Sequence, residues 1–178
     1  AGRLADPHSA LRLLLGNHAE APQLEILNTK RQEMVSRFVE EAKMMISNTA
    51  ETLPALLVES AEWPAGVLGL IAGKLSEDYG KPAVALEKGK DKMTASCRGP
   101  QDFNFSEALR CLAQKDPHLF FGFGGHREAA GFSLPPENFE KFKNLFSQYV
   151  FEKRGMGKTK PEITFDFACE QELTPEEV

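Results

Sequence analysis

The sequence lacks the marks of several protein classes. No apolar run in its 178 residues approaches the ~18 needed for a helix to cross a bilayer, and no secretory leader is expected. Its three cysteines, at positions 97, 111 and 169, form no CxxC pair and no zinc-ligand spacing. That excludes a disulfide scaffold and reads as reduced thiols in a cytoplasmic protein. His8, His18 and His118 add no ligand-spaced set, so no metal site is expected within the chain. Positive charge is not in surplus: the net charge is −5 and the pI about 5.5. A polycation that coats nucleic acid by bulk charge is excluded, while a single basic groove is not. There are no internal repeats and no low-complexity tract.

What is present is ordinary for a folded protein, with 42% hydrophobic and 26% charged residues. A chain of this length buries about 70% of its unfolded surface, enough for a core without covalent staples. It begins Ala1-Gly2-Arg3 without a methionine, and it stops just after Thr174-Pro175-Glu176-Glu177. That last stretch has a threonine cap, a proline at the first helical position and a glutamate in the first turn, the signature of a helix start. The chain is therefore read as a piece of a longer polypeptide.

Asp6-Pro7 opens a short helix through Leu15. From Pro22 to Asn48, Leu24, Leu27, Met34, Val35, Phe38, Ala42, Met45 and Ile46 recur at three- and four-residue intervals, which predicts an amphipathic helix of about seven turns. Residues 55–59 read as a buried strand, Pro64 to Tyr79 as an apolar helix stopped at Gly80, and 83–87 as a second strand. Strand, helix, strand is a βαβ unit with a parallel pair. A third strand is expected over Lys92–Cys97, a helix over Ser106–Gln114 capped by Ser106, a strand over Gly131–Leu134 and a last helix from Pro136 to about Phe151. Ile163 to Cys169 alternates like the first strand of something else. The fold class is α/β, a mixed sheet with flanking helices preceded by a long connecting helix.

Three local features carry chemistry. Gly124-Gly125-His126 stands ahead of an Ala-rich stretch read as a helical start, where bare backbone amides and the helix N-terminus favour phosphate and the histidine donates to it. The other reading is a glycine turn needed for packing. Ser96-Cys97-Arg98-Gly99 ends a strand, and the arginine fork matches phosphate oxygens; the alternative is a surface arginine paired with a carboxylate. Trp63 opens the crossover helix either as a core lid or as a base-stacking platform, with Gly66 and Gly69 marking close approach of that helix to a strand. The cations from Lys81 to Arg98 form either a basic patch or a solvated hairpin tip. Cys97 lies mid-strand and is not read as a nucleophile. No paired carboxylates are spaced to bind two cations.

Taken in order, Ala1-Gly2-Arg3-Leu4, the long helix, Trp63-Pro-Ala-Gly-Val-Leu-Gly-Leu-Ile-Ala, Ser96-Cys-Arg and Gly124-Gly-His-Arg-Glu-Ala-Ala-Gly-Phe resemble the RecJ family, single-strand-specific 5′→3′ exonucleases of the DHH phosphoesterase superfamily. The resemblance implies residues 1–16 as the end of a DHH domain and 17–52 as a connecting helix. It implies 53–152 as the DHH-associated, substrate-binding domain, and 153–178 as a linker and the start of an OB-like domain. It implies Mn²⁺ or Mg²⁺ held by the DHH domain, and single-stranded DNA with a 5′ phosphate as partner. A cytoplasmic monomer acting in DNA repair and recombination is implied as well. His126 would stabilise phosphoryl charge, while Arg98, Ser96, Gly124, Gly125 and Arg3 would bind substrate; this piece alone would not hydrolyse. Two departures stand out: Pro64 where the family commonly has histidine, and Gly99 where it commonly has serine. The alternatives are another DHH phosphodiesterase, acting on oligoribonucleotides or cyclic dinucleotides, and a non-catalytic nucleic-acid-binding module.

Overall fold

The computed structural model describes residues 6–156. The expected strand at Ile163–Cys169, the helix start at Thr174 and the site residue Arg3 lie outside the described residues.

The chain runs through α1 (His8–Leu14), α2 (Ala21–Ile46), β1 (Leu56–Ser60), α3 (Ala65–Tyr79), β2 (Ala83–Lys88), β3 (Met93–Arg98), α4 (Phe105–Lys115), β4 (Gly122–Gly125), β5 (Ala129–Leu134) and α5 (Phe139–Arg154). The five strands form one sheet in the order β1-β2-β3-β5-β4. β1 and β2 are parallel, as strand–helix–strand requires, and every other pairing is antiparallel. No helix among the described residues is long and apolar enough to cross a membrane.

Side chains alternate across the sheet and build a core on each face. On one face α4 and α5 cover Val84, Leu86, Ala95, Cys97 and Phe132. Phenylalanine fills this layer: the Phe132 and Phe142 rings lie 4.5 Å apart, and Phe142 stacks on Phe146 at 5.4 Å. On the other face α3 and the second half of α2 pack on Leu56, Val58, Ala83 and Ala85. Gly80 ends α3 in the left-handed conformation, with φ +61°, and donates to the Ser76 carbonyl.

Trp63 is a core side chain, not a stacking platform. It is fully buried, its ring 6.2 Å from that of Phe38, and its Nε1–H donates to Glu41 Oε2 at 3.1 Å. The indole thus fastens α2 to the sheet. Lys81 departs further from the sequence reading. It is 0% exposed and its ammonium donates to the carbonyls of Ala50, Glu51 and Leu53, binding the turn after α2 to the start of β2. The run of cations from Lys81 to Arg98 is therefore divided. Lys88, Lys90 and Lys92 ring the exposed β2–β3 turn, while Arg98 lies at the far end of β3, about 17 Å away along the strand. The cap of α4 is Asn104 and not Ser106: the helix starts one residue earlier, with Phe105 in the core, and the Asn104 side chain accepts from the Glu107 N–H at 3.1 Å.

Candidate functional site

Strand β3 alternates buried and half-buried residues. Met93, Ala95 and Cys97 enter the phenylalanine core, which leaves Thr94, Ser96 and Arg98 on the α3 face. Burial pushes the Cys97 thiol far above its ordinary pKa against the weaker pull of Arg98, so this cysteine stays a protonated core residue. Arg98 folds back along its own strand: Nη1 donates to the Cys97 carbonyl at 2.7 Å and to Ser96 Oγ at 3.2 Å. No carboxylate pairs with it among the described residues. Two hydrogen bonds fix one edge of the fork, and Arg98 lines the cleft between α2 and α3.

That posture depends on α3. A Cβ on Gly69 would stand 2.8 Å from Arg98 Nη2 and 3.1 Å from Ser96 Oγ, and one on Gly73 would touch Arg98 Cγ at 3.9 Å. The two glycines, four apart, make a bare strip on which the arginine lies. The sequence reading placed Gly69 against a strand without seeing its target, and it did not single out Gly73. The usable signal was a four-residue glycine spacing on an otherwise apolar helix.

The glycine–histidine element does not open a helix. Gly122–Gly125 is strand β4, an exposed strand at the sheet edge, and Ala129–Leu134 returns beside it as β5. The expected helix-dipole contribution at His126 is therefore absent, and the site uses a tight hairpin instead. Gly125 sits at φ +139°, and a Cβ there would come within 2.4 Å of Ala130 Cα and 2.6 Å of the Ala129 carbonyl, so only glycine fits. Gly124 faces open space, with nothing within 4 Å of a Cβ position. His126 donates its backbone N–H to the Ala129 carbonyl at 2.8 Å, and its exposed ring has no hydrogen-bond partner among the described residues.

The sheet brings the two elements to one end. Arg98 pairs with Ala129 across β3–β5, and Gly125 pairs with Ala130 across β5–β4. Two strand spacings thus separate the backbones of Arg98 and the hairpin, about 10 Å. The turn is tied to the segment after Arg98 by Gly99 N–H to the Glu128 carbonyl, Phe105 N–H to the Arg127 carbonyl, and Arg127 Nε to the Gln101 carbonyl at 2.9 Å. Gly99 itself has no room for a larger residue, because a Cβ would meet the Phe105 ring at 2.8 Å. Pro64, the other departure from the family pattern, precedes α3 in extended conformation and belongs to the helix start.

Arg98, the Ser96 hydroxyl, His126 and the open backbone at Gly124 lie at one end of the sheet. Among the described residues no three His, Cys, Asp or Glu side chains come together to hold a metal ion. The arrangement can grip and orient a phosphate; it supplies no activated nucleophile of its own.

The sequence profile of the DHHA1 domain matches residues 52–152. Among curated proteins, the chain is 35% identical over 162 residues to the single-stranded-DNA-specific exonuclease RecJ of Salmonella typhimurium, covering 85% of this chain and 28% of that protein. It is 32% identical to RecJ of Bacillus subtilis, covering 83% of this chain and 19% of that one. The chain thus spans less than a third of the length of these relatives. Among solved structures it is similar to RecJ of Thermus thermophilus in complex with Mg²⁺, with a TM-score of 0.72 and 27% identity over 84% of this chain and 23% of that one. It is likewise similar to exonuclease RecJ bound to manganese, with a TM-score of 0.72 and 28% identity over 88% of this chain and 39% of that one.

Proposed function

Since this chain belongs to the DHHA1 domain family over residues 52–152, we propose that it is the nucleic-acid-binding part of a RecJ-like exonuclease that degrades single-stranded DNA from a 5′-phosphorylated end. The observation that carries the reading is Arg98, a half-buried arginine held by Ser96 and the Cys97 carbonyl, lining the cleft with no carboxylate partner among the described residues. An arginine arranged in that way is a receptor for a phosphate.

In this proposal Arg98 and Ser96 hold one phosphate while His126 and the Gly124–Gly125 backbone approach the phosphoryl oxygens from the hairpin. Fixed donors at that point favour the charge that grows in phosphodiester cleavage. Mg²⁺ or Mn²⁺, named with the RecJ structures that this chain resembles, would supply an activated water. In the same proposal the ion is held by an upstream DHH domain. The chain alone binds and does not hydrolyse. The same proposal gives the parent protein a monomeric state, a cytoplasmic location and a role in DNA repair and recombination, and it gives Arg3 a substrate contact near the domain junction.

The test is fluorescence anisotropy with a labelled, 5′-phosphorylated oligothymidylate at low salt. The unsubstituted chain should bind, Arg98→Ala should bind about tenfold or more weakly, and removal of the 5′ phosphate should cost the unsubstituted chain more than the variant. Equal binding by both proteins to both oligomers sinks the reading. Tighter binding to an oligoribonucleotide of the same length transfers it to an RNA-directed phosphodiesterase or binding module.

A further inference from the structure

Arg98 opens onto a cleft of about 550 Å³ between α2 and α3, a volume in the range of ligand-binding pockets. Its floor is apolar, made by Val35, Val39 and Leu70. Its cations fall into two kinds. Lys43 pairs with Asp78 at 3.0 Å and Glu40 at 3.4 Å, and Lys74 pairs with Asp78 at 2.9 Å and Glu77 at 3.7 Å. These two lysines are thus paired with three carboxylates on the wall of the cleft. The two arginines are not paired in that way. Arg98 bonds only to Ser96 and a backbone carbonyl, and Arg31 donates to the Asn28 side-chain oxygen at 2.8 and 3.2 Å. Neither meets a carboxylate among the described residues.

Arg31 is on the same stripe of α2 as Val35, Val39 and Lys43, at four-residue steps, so the helix presents it along the cleft and not at random. Two guanidinium groups with no carboxylate partner among the described residues, one from the sheet and one from the long helix, therefore border a single cleft. A lone anion needs one of them; a polyanion whose charges repeat along a chain uses both.

We propose that the cleft between α2 and α3 carries a second phosphate subsite of the same single-stranded nucleic acid, with Arg31 as its anion-binding residue. This rests on the assignment of Arg98 as a phosphate receptor. It makes the first half of α2 a wall of the strand path as well as a connector. The apolar floor takes the faces of bases or sugars while the arginines hold backbone phosphates, as single-strand grooves do elsewhere.

The experiment measures binding of an oligothymidylate of about eight nucleotides across a salt series, with the whole 178-residue chain and far-UV circular dichroism as the folding check. Each phosphate contact contributes about 0.7 to the slope of log affinity against log salt on single strands. Arg31→Gln should lower affinity about five- to tenfold at low salt and reduce the slope by about that one contact, with the circular dichroism spectrum unchanged. Arg31→Lys should keep the slope. Lys30→Gln, at the preceding residue of the helix and outside the cleft, should change affinity less than twofold. If Arg98→Gln weakens binding while Arg31→Gln matches the unsubstituted chain in affinity and slope, the second subsite is wrong and the Arg98 assignment stands. Equal losses for Lys30→Gln and Arg31→Gln also overturn the subsite, because helix charge alone then accounts for both. If neither arginine matters, or if the unsubstituted chain does not bind, the parent reading falls with it.

Discussion

Gly69 of α3 and Arg98 of β3 occupy complementary space: the hydrogen of one stands where a methyl group would press to 2.8 Å of the guanidinium Nη2 of the other. The posture of Arg98 is thus set jointly by two elements, and the helix contributes by what it leaves out.

Gly69→Ala is expected to move Arg98 without unfolding the domain, since the atom in the way is the free end of a flexible side chain. Affinity for phosphorylated single strands should fall about tenfold. The thermal midpoint should change by no more than a few degrees, because alanine also favours the helix. A titration and a thermal melt on the same preparation check both parts.

Gly125→Ala is expected to behave in the opposite manner. Its Cβ would strike the backbone of β5, and φ of +139° is denied to an alanine. The hairpin must rearrange, at a cost of about 2–3 kcal/mol. A urea titration should show the loss of stability, and substrate binding should weaken with it. Gly124→Ala, open on all sides, should leave stability nearly unchanged while still obstructing close approach of a ligand.

Lys81→Met removes a buried ammonium and strands the carbonyls of Ala50, Glu51 and Leu53. The expected cost is about 3 kcal/mol, from unsatisfied acceptors more than from lost volume. Chemical denaturation measures it. Faster hydrogen exchange at residues 47–53 would place the damage at the end of α2.

Asp116 links the end of α4 to α5. Its carboxylate accepts from Lys141 Nζ, 2.6 Å away, and from the His118 backbone N–H, and these bonds hold its pKa below the ordinary value. A depressed carboxylate stabilises the fold fully above the pKa of the unfolded chain and loses that contribution as pH falls through the folded one. The unsubstituted chain should therefore exceed Asp116→Asn in urea midpoint near neutrality. The difference should shrink through the acid range below about pH 4 and vanish beneath it. A midpoint difference that is flat from neutral to strongly acid pH would contradict this account.

Periodicity alone placed α2, α3 and the parallel β1–β2 pair within one or two residues, although on α2 Met45 of the expected apolar face is exposed and Val39, outside it, is buried. The hairpin at His126 was misread because Ala129-Ala130 follows two glycines, and alanine favours helix in isolation. In the fold Ala130 is wedged between Cys97 and Gly125 in the middle of a sheet, and pairing outweighs propensity. Lys81 looked solvated beside Pro82, since nothing local announces three carbonyls thirty residues upstream. Arg98 and Ser96 were legible as residue types on one strand face. Their surroundings were not, because the partners that shape them, Gly69, Gly73 and Arg31, come from two other helices.

The fastening of α2 has a mechanical consequence. With Trp63 bonded to Glu41, Phe38 buried against it and Lys81 gripping the turn beyond Ile46, the second half of the helix is fastened to the body of the domain. The first half extends from it by roughly 20 Å. Whatever is joined at the far end is thereby phased by helical pitch. A single residue inserted between Pro22 and Asn28 would turn it by about 100° and shift it by about 1.5 Å. The inserted variant would keep both cores and lose alignment, which makes the residue count of this helix as much a part of the design as any side chain in the cleft.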